Sequence, residues 1–160
     1  MIVGLGIDIA EMARLAKVYD KFGRRFLEKI LTPAELAALP VQALPYIAGR
    51  FAAKEAAVKA LGTGFSQGIG PRQIETGRTA LGEPLLRFLD QALERAQSLG
   101  VRHCRLSISH ERSVAVAVVI LEALCAVFAN FRTLCPPCRF PRKCGPGTRR
   151  RYGWACRKSC

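Results

Sequence analysis

The sequence predicts an α+β fold in which helices pack on a small, largely antiparallel sheet. Three observations support this class. Short, β-branched apolar runs stand near both ends of the first 123 residues, at 2–9 and 113–121. Segments of helical periodicity fill much of the chain between them. A cleanly alternating run at 103–110 precedes the run at 113–121 by only two residues, which is typical of an antiparallel hairpin.

Charge and cysteine content divide the 160-residue chain near residue 123. Residues 124–160 carry nine Lys or Arg and no Asp or Glu, so the net charge of +13 falls to +4 for residues 1–123. Six of the seven cysteines also lie after residue 123, and only Cys104 precedes it. We therefore interpret residues 1–123 as the folded domain. Residues 124–160 are predicted to be a disordered, basic, Cys-rich extension, because they lack periodicity and bury too little to offset their ordering entropy.

Other interpretations of the extension stay open. Cys135 and Cys138 form a CxxC pair, but a zinc site usually needs a second close pair, and Cys156 and Cys160 are separated by three residues. A frame-altered end of the coding region would also explain the abrupt change in composition. Arginines such as those at 149–151 would permit nonspecific contacts with nucleic acid phosphates. This gives a second functional hypothesis, a nucleic-acid-binding protein that acts through its tail.

The hydropathy pattern argues against a membrane protein. No apolar run reaches the roughly 18 residues that suggest a membrane span. The beginning of the chain has no basic segment before its apolar residues and carries Asp8 and Glu11 early, so no secretory signal is expected. We expect a cytoplasmic protein without a membrane partner.

The first predicted strand, residues 2–9, reads as buried because it is short, apolar and β-branched. Period-2 alternation puts Gly4, Gly6 and Asp8 on one face, and two glycines there would let another element or a ligand approach closely. Asp8 stands at the end of this face. Taken alone, Asp8 is more simply a cap for the helix that follows.

Four helices are predicted next: residues 10–19, residues 21–30, a short helix that starts at Thr32, and a long helix over 44–60. Thr32 as N-cap, Pro33 in the first turn and Glu35 at the third position mark the start of the short helix. Residues 62–64, Gly-Thr-Gly, end the long helix.

The remaining elements follow in order: a loop at 66–71, a strand over 72–76, a turn at 81–84, a helix over 85–99 and the hairpin described above. The helix over 85–99 is predicted from the spacing of its apolar residues, and Gly100 closes it.

Charged side chains interrupt the alanine-rich sequence FAAKEAAVKA at 51–60 of the long helix. Glu55 and Lys59 are four residues apart and share a face, and most such pairs lie in solvent. The small neighbours would instead permit tight packing, so that part of the charged rim lies in a crevice. Lys54 points about 100° away from Glu55, and packing or contact with another subunit would each explain it. His110, next to a turn, is by itself more often structural than catalytic.

The combination and order of three motifs decide between these interpretations. GLGID at 4–8, GRFAAKEAAVKALGTG at 49–64 and SISH at 107–110 together resemble the holo-acyl-carrier-protein synthase family, the small phosphopantetheinyl transferases. LTPAEL and the turn at 82–84 are also similar to that family. The resemblance covers about residues 1–122 and implies a phosphopantetheinyl transferase-like fold.

The resemblance implies a reaction and its residues. The family transfers the 4′-phosphopantetheine arm of coenzyme A to a serine of apo acyl carrier protein in fatty acid biosynthesis, and releases adenosine 3′,5′-bisphosphate. Asp8 and Glu55 match its Mg²⁺ ligands, and Lys59, one turn later, matches a phosphate contact. His110 matches a histidine that binds the coenzyme A phosphates or acts as a base. The sequence does not separate these roles, and a metal-bound water is the alternative base.

Further binding residues are expected from the same resemblance. Arg50 would reach a phosphate of coenzyme A. Gly62 and Gly64 would bring backbone N–H groups near the nucleotide, although a plain helix C-cap is the alternative. A basic stretch would dock the acidic carrier protein, where a solubilising surface is the alternative; it comprises Arg14, Lys17, Lys21, Arg24 and Arg25.

The family also implies a homotrimer with sites at subunit boundaries. A third functional hypothesis is a broad-substrate transferase that acts on peptide or polyketide carriers. The short domain argues against the pseudo-dimeric, double-length form of the superfamily.

Overall fold

The computed structural model describes residues 1–124. This part contains ten regular elements, in the order β1 (Ile2–Glu11), α1 (Met12–Phe22), α2 (Arg24–Ile30), α3 (Pro33–Ala37), α4 (Ala43–Leu61), β2 (Ile74–Arg78), β3 (Pro84–Phe88), α5 (Asp90–Ser98), β4 (Val101–His110) and β5 (Val114–Ala123). A 3₁₀ turn at Pro71–Gln73 precedes β2. The strands form two antiparallel sheets, ordered β1-β5-β4 and β2-β3, which confirms the predicted α+β class.

Two sequence expectations concern the limits of this part. Residues 125–160 lie outside the described residues. The predictions for the extension, namely disorder, a metal site and nucleic-acid contacts, concern those residues. Between residues 1 and 124, no helix is both long and apolar enough to cross a membrane.

Helix α4 lies directly against the glycine face of β1. A Cβ atom at Gly6 would overlap the carbonyl oxygen of Ala56, and one at Gly4 would overlap that of Ala60. Ala52, Ala56 and Ala60 are buried at this contact. Only a strand face without side chains and a helix face of alanines allow backbones to come so close. The predicted close approach to the glycine face is confirmed.

Strand β5 lies in the middle of the three-stranded sheet and supplies much of its inner face. Ala115, Ala117, Val119 and Leu121 are fully buried under α4 and its neighbours. β5 pairs with β4 as the predicted hairpin. In this register Asp8 of β1 lies opposite Ala117. The register therefore fixes the position of Asp8 on the inner face of the sheet.

The prediction that the first strand is buried is wrong for one of its faces. Leu5, Ile7 and Ile9 are 64%, 54% and 62% exposed. Leu5 and Ile7 lie opposite Ile120 and Val118 of β5, so apolar side chains continue across the outer side of the sheet. No element within residues 1–124 covers them. Alternation alone does not separate a strand buried on both faces from one that is buried on a single face by its own chain.

The helix predicted over 85–99 is wrong in its first part. Pro84–Phe88 forms strand β3 and pairs with β2, and α5 begins only at Asp90. The apolar residues fit a helical spacing, but Leu86 and Phe88 also alternate and pack against the core. Pairing with β2 satisfies the backbone groups of both strands, and this tertiary contact outweighs the local periodicity.

Other boundaries shift by a few residues for visible reasons. α1 begins at Met12 and not at residue 10, because β1 continues to Glu11, which pairs with Val114. Thr32 and Glu35 form the expected capping box at the start of α3. Gly62 ends α4 in the left-handed conformation, with φ of 73°.

Lys54 forms a buried ion pair that the sequence did not predict. Its Nζ atom donates to Glu35 Oε2 at 2.7 Å and to the carbonyl oxygens of Pro71 and Ile74 at 3.0 and 2.6 Å. Burial lowers the pKa of the Lys54 ammonium, and the charge of Glu35 opposes that shift. Glu35 also accepts from the backbone N–H and hydroxyl of Thr76 at 2.9 and 2.6 Å.

Every polar atom of this pair thus has a partner, which is the condition under which buried charges are tolerated. Removing one member of a buried pair typically costs about 3–5 kcal/mol, because the other charge stays behind without compensation. The pair connects α3, α4 and β2, so Lys54 serves packing within its own chain.

The contact between β1 and α4 makes a direct prediction for stability. Gly6→Ala should lower the free energy of unfolding by about 3 kcal/mol, at the upper end of overpacking costs, because the added Cβ meets backbone atoms that cannot rotate away. Gly77→Ala is the matched control, since a Cβ there meets no atom within 4 Å. Chemical denaturation of both variants measures the difference. Equal stability of the two variants would show that the close contact does not limit the packing of α4.

Candidate active site

Asp8 lies on the inner face of β1, beside α4, and its side chain is only 15% exposed. Its Oδ1 atom accepts a hydrogen bond of 2.7 Å from Lys59 Nζ. The N-cap of α1 is Glu11, three residues later, and it makes no side-chain capping bond. Asp8 therefore does not cap the following helix, and its carboxylate faces the charged rim of α4.

Glu55 projects from the middle of α4 toward the same place and is half-buried. Burial raises the pKa of the Glu55 carboxyl above its ordinary value, and the negative charge of Asp8 raises it further. The positive charges of Lys59 and Arg14 act in the opposite direction. Asp8, Glu55, Lys59 and Arg14 thus form one electrostatic cluster, which we call the carboxylate cluster.

Lys59 connects the two elements of the carboxylate cluster. Besides Asp8, its ammonium group donates to the carbonyl oxygen of Ile7 at 3.2 Å. Lys59 therefore bonds across to β1 and is not simply the partner of Glu55 in a solvated helix pair. Half of its side chain remains exposed. The ammonium group can consequently reach an anion placed at the mouth of the cluster.

The donor set of the cluster suits a hard cation. Mg²⁺ is usually held by one or two carboxylates, while water and substrate phosphates complete its shell. Asp8 and Glu55 supply two carboxylates; burial is the main cause of the raised pKa of Glu55, and the charge of Asp8 adds to it. Across residues 1–124, no group of three or more His, Cys, Asp or Glu is placed to hold an ion. Within this part of the chain, Asp8 and Glu55 are the two carboxylates that would hold a cation at the cluster.

Arg50 lies on another side of α4. It is buried, and its guanidinium carbon stacks 4.6 Å from the centre of the Tyr46 ring. Its Nε atom is buried without a hydrogen-bond partner among the described residues. Such a group favours an anionic ligand.

The two glycines after α4 cap the helix. The N–H group of Gly62 donates to Lys59 O, and those of Thr63 and Gly64 donate to Val58 O. These N–H groups are therefore used in the helix cap and cannot make the predicted hydrogen bonds to a nucleotide in this arrangement. A Cβ at Gly64 would meet no atom within 4 Å among the described residues, so the space beside this glycine is open.

Arg95 is a residue near this cap that sequence reasoning missed. Its Nε atom donates to the carbonyl oxygen of Leu61 at 3.2 Å and so neutralises the end of α4. A Cβ at Gly62 would lie 3.9 Å from its guanidinium group. The helical spacing of α5 gives no indication of this contact, because it joins residues that are 34 positions apart.

His110 does not join the carboxylate cluster within one chain. It is exposed at the end of β4, opposite Ala115, which in turn lies opposite Ala10 of β1. β5 therefore stands between His110 and the strand that carries Asp8, and two interstrand spacings of about 4.8 Å separate them. A direct role for His110 at that cluster would need a second copy of the chain.

The five predicted docking residues are all exposed on α1 and α2, as expected; they are Arg14, Lys17, Lys21, Arg24 and Arg25. They are not equivalent. Arg14 acts on Glu55 and so belongs to the rim of the carboxylate cluster, whereas Arg24 donates to Glu28 at 2.8 Å.

An open groove of about 420 Å³ lies between α1 and α2, and sequence reasoning missed it. It is lined by Val18, Phe22, Arg25, Phe26 and Lys29. Its wall is thus mainly apolar and its rim is basic. Phe22, at the edge of the groove, is 52% exposed.

Comparison with known proteins identifies the family of this chain. The profile of the 4′-phosphopantetheinyl transferase superfamily matches residues 4–119. A protein of Desulfovibrio desulfuricans called holo-[acyl-carrier-protein] synthase is 64% identical over 124 residues, which span 78% of this chain and 100% of that protein.

Solved structures give the same result for the fold. The holo-[acyl-carrier-protein] synthase of Neisseria meningitidis has a TM-score of 0.71 and 38% identity, and the match covers 76% of this chain and 99% of that one. The enzyme of Helicobacter pylori, solved in complex with coenzyme A, has a TM-score of 0.66 and 32% identity, with coverage of 74% and 99%. Fold, sequence profile and close relatives agree, and the chain belongs to the holo-[acyl-carrier-protein] synthase family of 4′-phosphopantetheinyl transferases.

Proposed function

We propose that this enzyme transfers the 4′-phosphopantetheine arm of coenzyme A to a serine of apo acyl carrier protein, for fatty acid biosynthesis, with adenosine 3′,5′-bisphosphate as the second product. The observation that carries the proposal is the carboxylate cluster, where Asp8, Glu55 and Lys59 meet at the contact of α4 with β1. The relative from Helicobacter pylori, solved with coenzyme A, supports the choice of the donor substrate.

Asp8 and Glu55 would hold Mg²⁺ together with the diphosphate of coenzyme A. The bound ion would polarise the diphosphate and neutralise charge on the leaving group. Two carboxylates alone would repel the substrate, so a cation is needed for the diphosphate to approach Asp8 and Glu55 at all.

Lys59 would contribute to the same charge balance from the protein side. Its ammonium group lies at the mouth of the cluster and can move from Asp8 to a phosphate oxygen. A cation in this position stabilises the negative charge that builds up on the transferring phosphoryl group. In the transfer, the serine oxygen bonds to the phosphorus next to pantetheine. The bond from that phosphorus to the bridging oxygen breaks, and the bridging oxygen leaves with the adenosine bisphosphate.

The proton of the serine must pass to a base. We assign His110 either this role or a contact to the coenzyme A phosphates, and we assign Arg50 to a phosphate contact. Both residues lie away from the carboxylate cluster of their own chain. We therefore propose that neighbouring subunits of a homotrimer complete each site. The exposed apolar face around Leu5 and Ile7 supports such an assembly, because contiguous apolar surface of this kind marks an interface.

The carrier protein would dock on α1 and α2. Carrier proteins are acidic, and the five exposed basic residues of these helices would steer such a partner toward the groove. An apolar side chain of the carrier would enter beside Phe22 and Phe26. The nucleic-acid alternative relied on residues 124–160, whereas the family match lies within residues 4–119. Whether peptide or polyketide carriers are also accepted stays a hypothesis.

The metal site predicts that Asp8→Asn and Glu55→Gln each reduce transfer by about a hundredfold or more, since either change removes half of the charge that would hold the ion. Mass spectrometry of apo acyl carrier protein, incubated with the enzyme, coenzyme A and Mg²⁺, measures the transfer. Circular dichroism checks that the variants are folded. Glu11→Gln, an exposed carboxylate at the end of β1, is the control and should stay active. Normal activity of either cluster variant would contradict the two-carboxylate site.

The raised pKa of Glu55 predicts that replacing this residue stabilises the metal-free protein, and that the gain depends on pH. A carboxyl whose pKa is higher in the folded than in the unfolded chain stabilises the fold at low pH, and this contribution is lost as the pH rises through the folded value. In the presence of a chelator, Glu55→Gln should therefore raise Tm relative to wild type at pH 7, and the difference should shrink at pH 4. A Tm difference that does not depend on pH would contradict the electrostatic assignment.

The docking surface predicts that Arg25→Glu raises KM for the carrier protein about tenfold and leaves KM for coenzyme A nearly unchanged. The effect should weaken as ionic strength rises, because salt screens exposed charges. Arg87→Glu, at an exposed cation of β3, is the matched control. Equal changes in both KM values for Arg25→Glu would place this residue outside a carrier-specific surface.

The shared site predicts that assembly and activity are lost together. Leu5→Lys places a charge on the exposed apolar face and should convert the trimer to monomers with little activity, whereas Leu81→Lys, at a loop residue that is 98% exposed, should change neither. Light scattering coupled to gel filtration gives the mass of each variant. An active monomer would refute the contribution of a neighbouring subunit.

A further inference from the structure

The loop from residue 62 to residue 70 joins α4 to the 3₁₀ turn before β2, and both of its ends are fixed by side chains. At the first end, Arg95 binds Leu61 O, and three consecutive N–H groups cap α4. At the second end, Lys54 binds the carbonyl oxygens of Pro71 and Ile74. The loop therefore starts and ends on the same helix, because Lys54 and Leu61 both belong to α4.

We propose that Lys54, together with Glu35, is a positioning residue for coenzyme A: it fixes the loop 62–70, which begins three residues after Lys59 of the carboxylate cluster. Lys54 touches neither the cluster nor any reacting atom. It acts through the loop, which would form part of the wall of the coenzyme A site beside the cluster. The inference rests on the proposed function, because the ligand of the loop is the coenzyme A of that reaction.

The first argument is the geometry of the ammonium group. Its three hydrogens are all used, by Glu35 and by the carbonyl oxygens of Pro71, the first residue of the 3₁₀ turn, and of Ile74, which follows the turn. Two backbone contacts three residues apart define the position of the turn. An apolar side chain would fill the space but leave the turn free to shift.

The second argument is energetic. An ion pair buried in this way is often no more stabilising than apolar residues of the same size. Its particular effect is to specify one arrangement, because each charge and each lone pair must find its partner. Here the specified arrangement includes Thr76 of β2, which donates twice to Glu35. The network thus sets β2 and the end of the loop relative to α4.

The third argument is that Lys54 is next to Glu55 in the sequence. Lys54 and Glu55 are adjacent and about 100° apart around α4. One side of the helix therefore carries a carboxylate of the cluster, and another side carries the anchor of the loop. A shift of the turn would change the distance between the loop and Glu55, and misplacement of a bound substrate by about 1 Å can cost up to about a hundredfold in rate.

The test compares KM values, which do not depend on the fraction of enzyme that is folded, with amide exchange, which is judged against a control variant because exchange also occurs through global unfolding. Lys54→Met should raise KM for coenzyme A about tenfold and leave KM for the carrier protein within about twofold. The backbone amides of Ile69 and Gln73, which donate within the loop and turn, should exchange faster. Val119→Ala is the control: it destabilises the core from the middle of β5 and should change neither readout.

The outcomes separate the possibilities. Lys54→Met is compared with Val119→Ala in two quantities, the KM for coenzyme A and the exchange rates of the Ile69 and Gln73 amides. If Lys54→Met lowers Tm but equals Val119→Ala in both quantities, the Lys54–Glu35 pair is only structural and the inference is overturned. If Lys54→Met does not fold, Thr76→Val and Glu35→Gln take its place. Each should raise KM for coenzyme A about threefold and speed exchange of the Ile69 and Gln73 amides. Values equal to those of Val119→Ala would again overturn the inference. If wild-type enzyme neither binds nor uses coenzyme A, the proposed function fails, and amide exchange still decides whether Lys54 holds the loop.

Discussion

The contact between the backbone of α4 and the glycine face of β1 determines where the charged groups lie. Gly4 and Gly6 place no side chain between the two elements, so the strand lies directly against the backbone carbonyl groups of Ala56 and Ala60. Asp8 follows directly along the strand, so its carboxylate emerges at the edge of this contact. A bulkier interface would move Asp8 away from α4 by several ångströms and separate it from Lys59.

Helix α4 carries different functions around its circumference. Its alanines pack on β1 and β5, Glu55 and Lys59 belong to the carboxylate cluster, Arg50 stacks on Tyr46, and Lys54 is buried with Glu35. This distribution explains why so many charged residues stand in an alanine-rich helix. Arg50 and Glu55 are five positions apart on this helix, and under the proposed function a neighbouring subunit would bring Arg50 to the site of another chain.

The sequence predicted the features that depend on local pattern. The glycine face of β1, the capping box at Thr32 and the hairpin of β4 and β5 all follow from short motifs, and the order of motifs led to the family. It did not predict the partners of Lys54 or Arg95, because these contacts join residues 19 and 34 positions apart through tertiary packing. Residues 84–88 were misassigned because the pairing of β3 with β2 outweighs a helical spacing. The sequence did not predict the exposure of one face of β1, because alternation does not reveal what covers a strand.

The central claim is that Asp8 and Glu55 hold one and the same ion, and a double-mutant cycle for Mg²⁺ affinity tests it most directly. Calorimetric titration of Mg²⁺ into the complex with coenzyme A would be carried out on wild type, Asp8→Asn, Glu55→Gln and the double variant. Groups that share one ion are coupled, so we expect the double variant to lose much less affinity than the two single losses added together. Losses that simply add, or single variants that bind Mg²⁺ like wild type, would contradict a shared metal site.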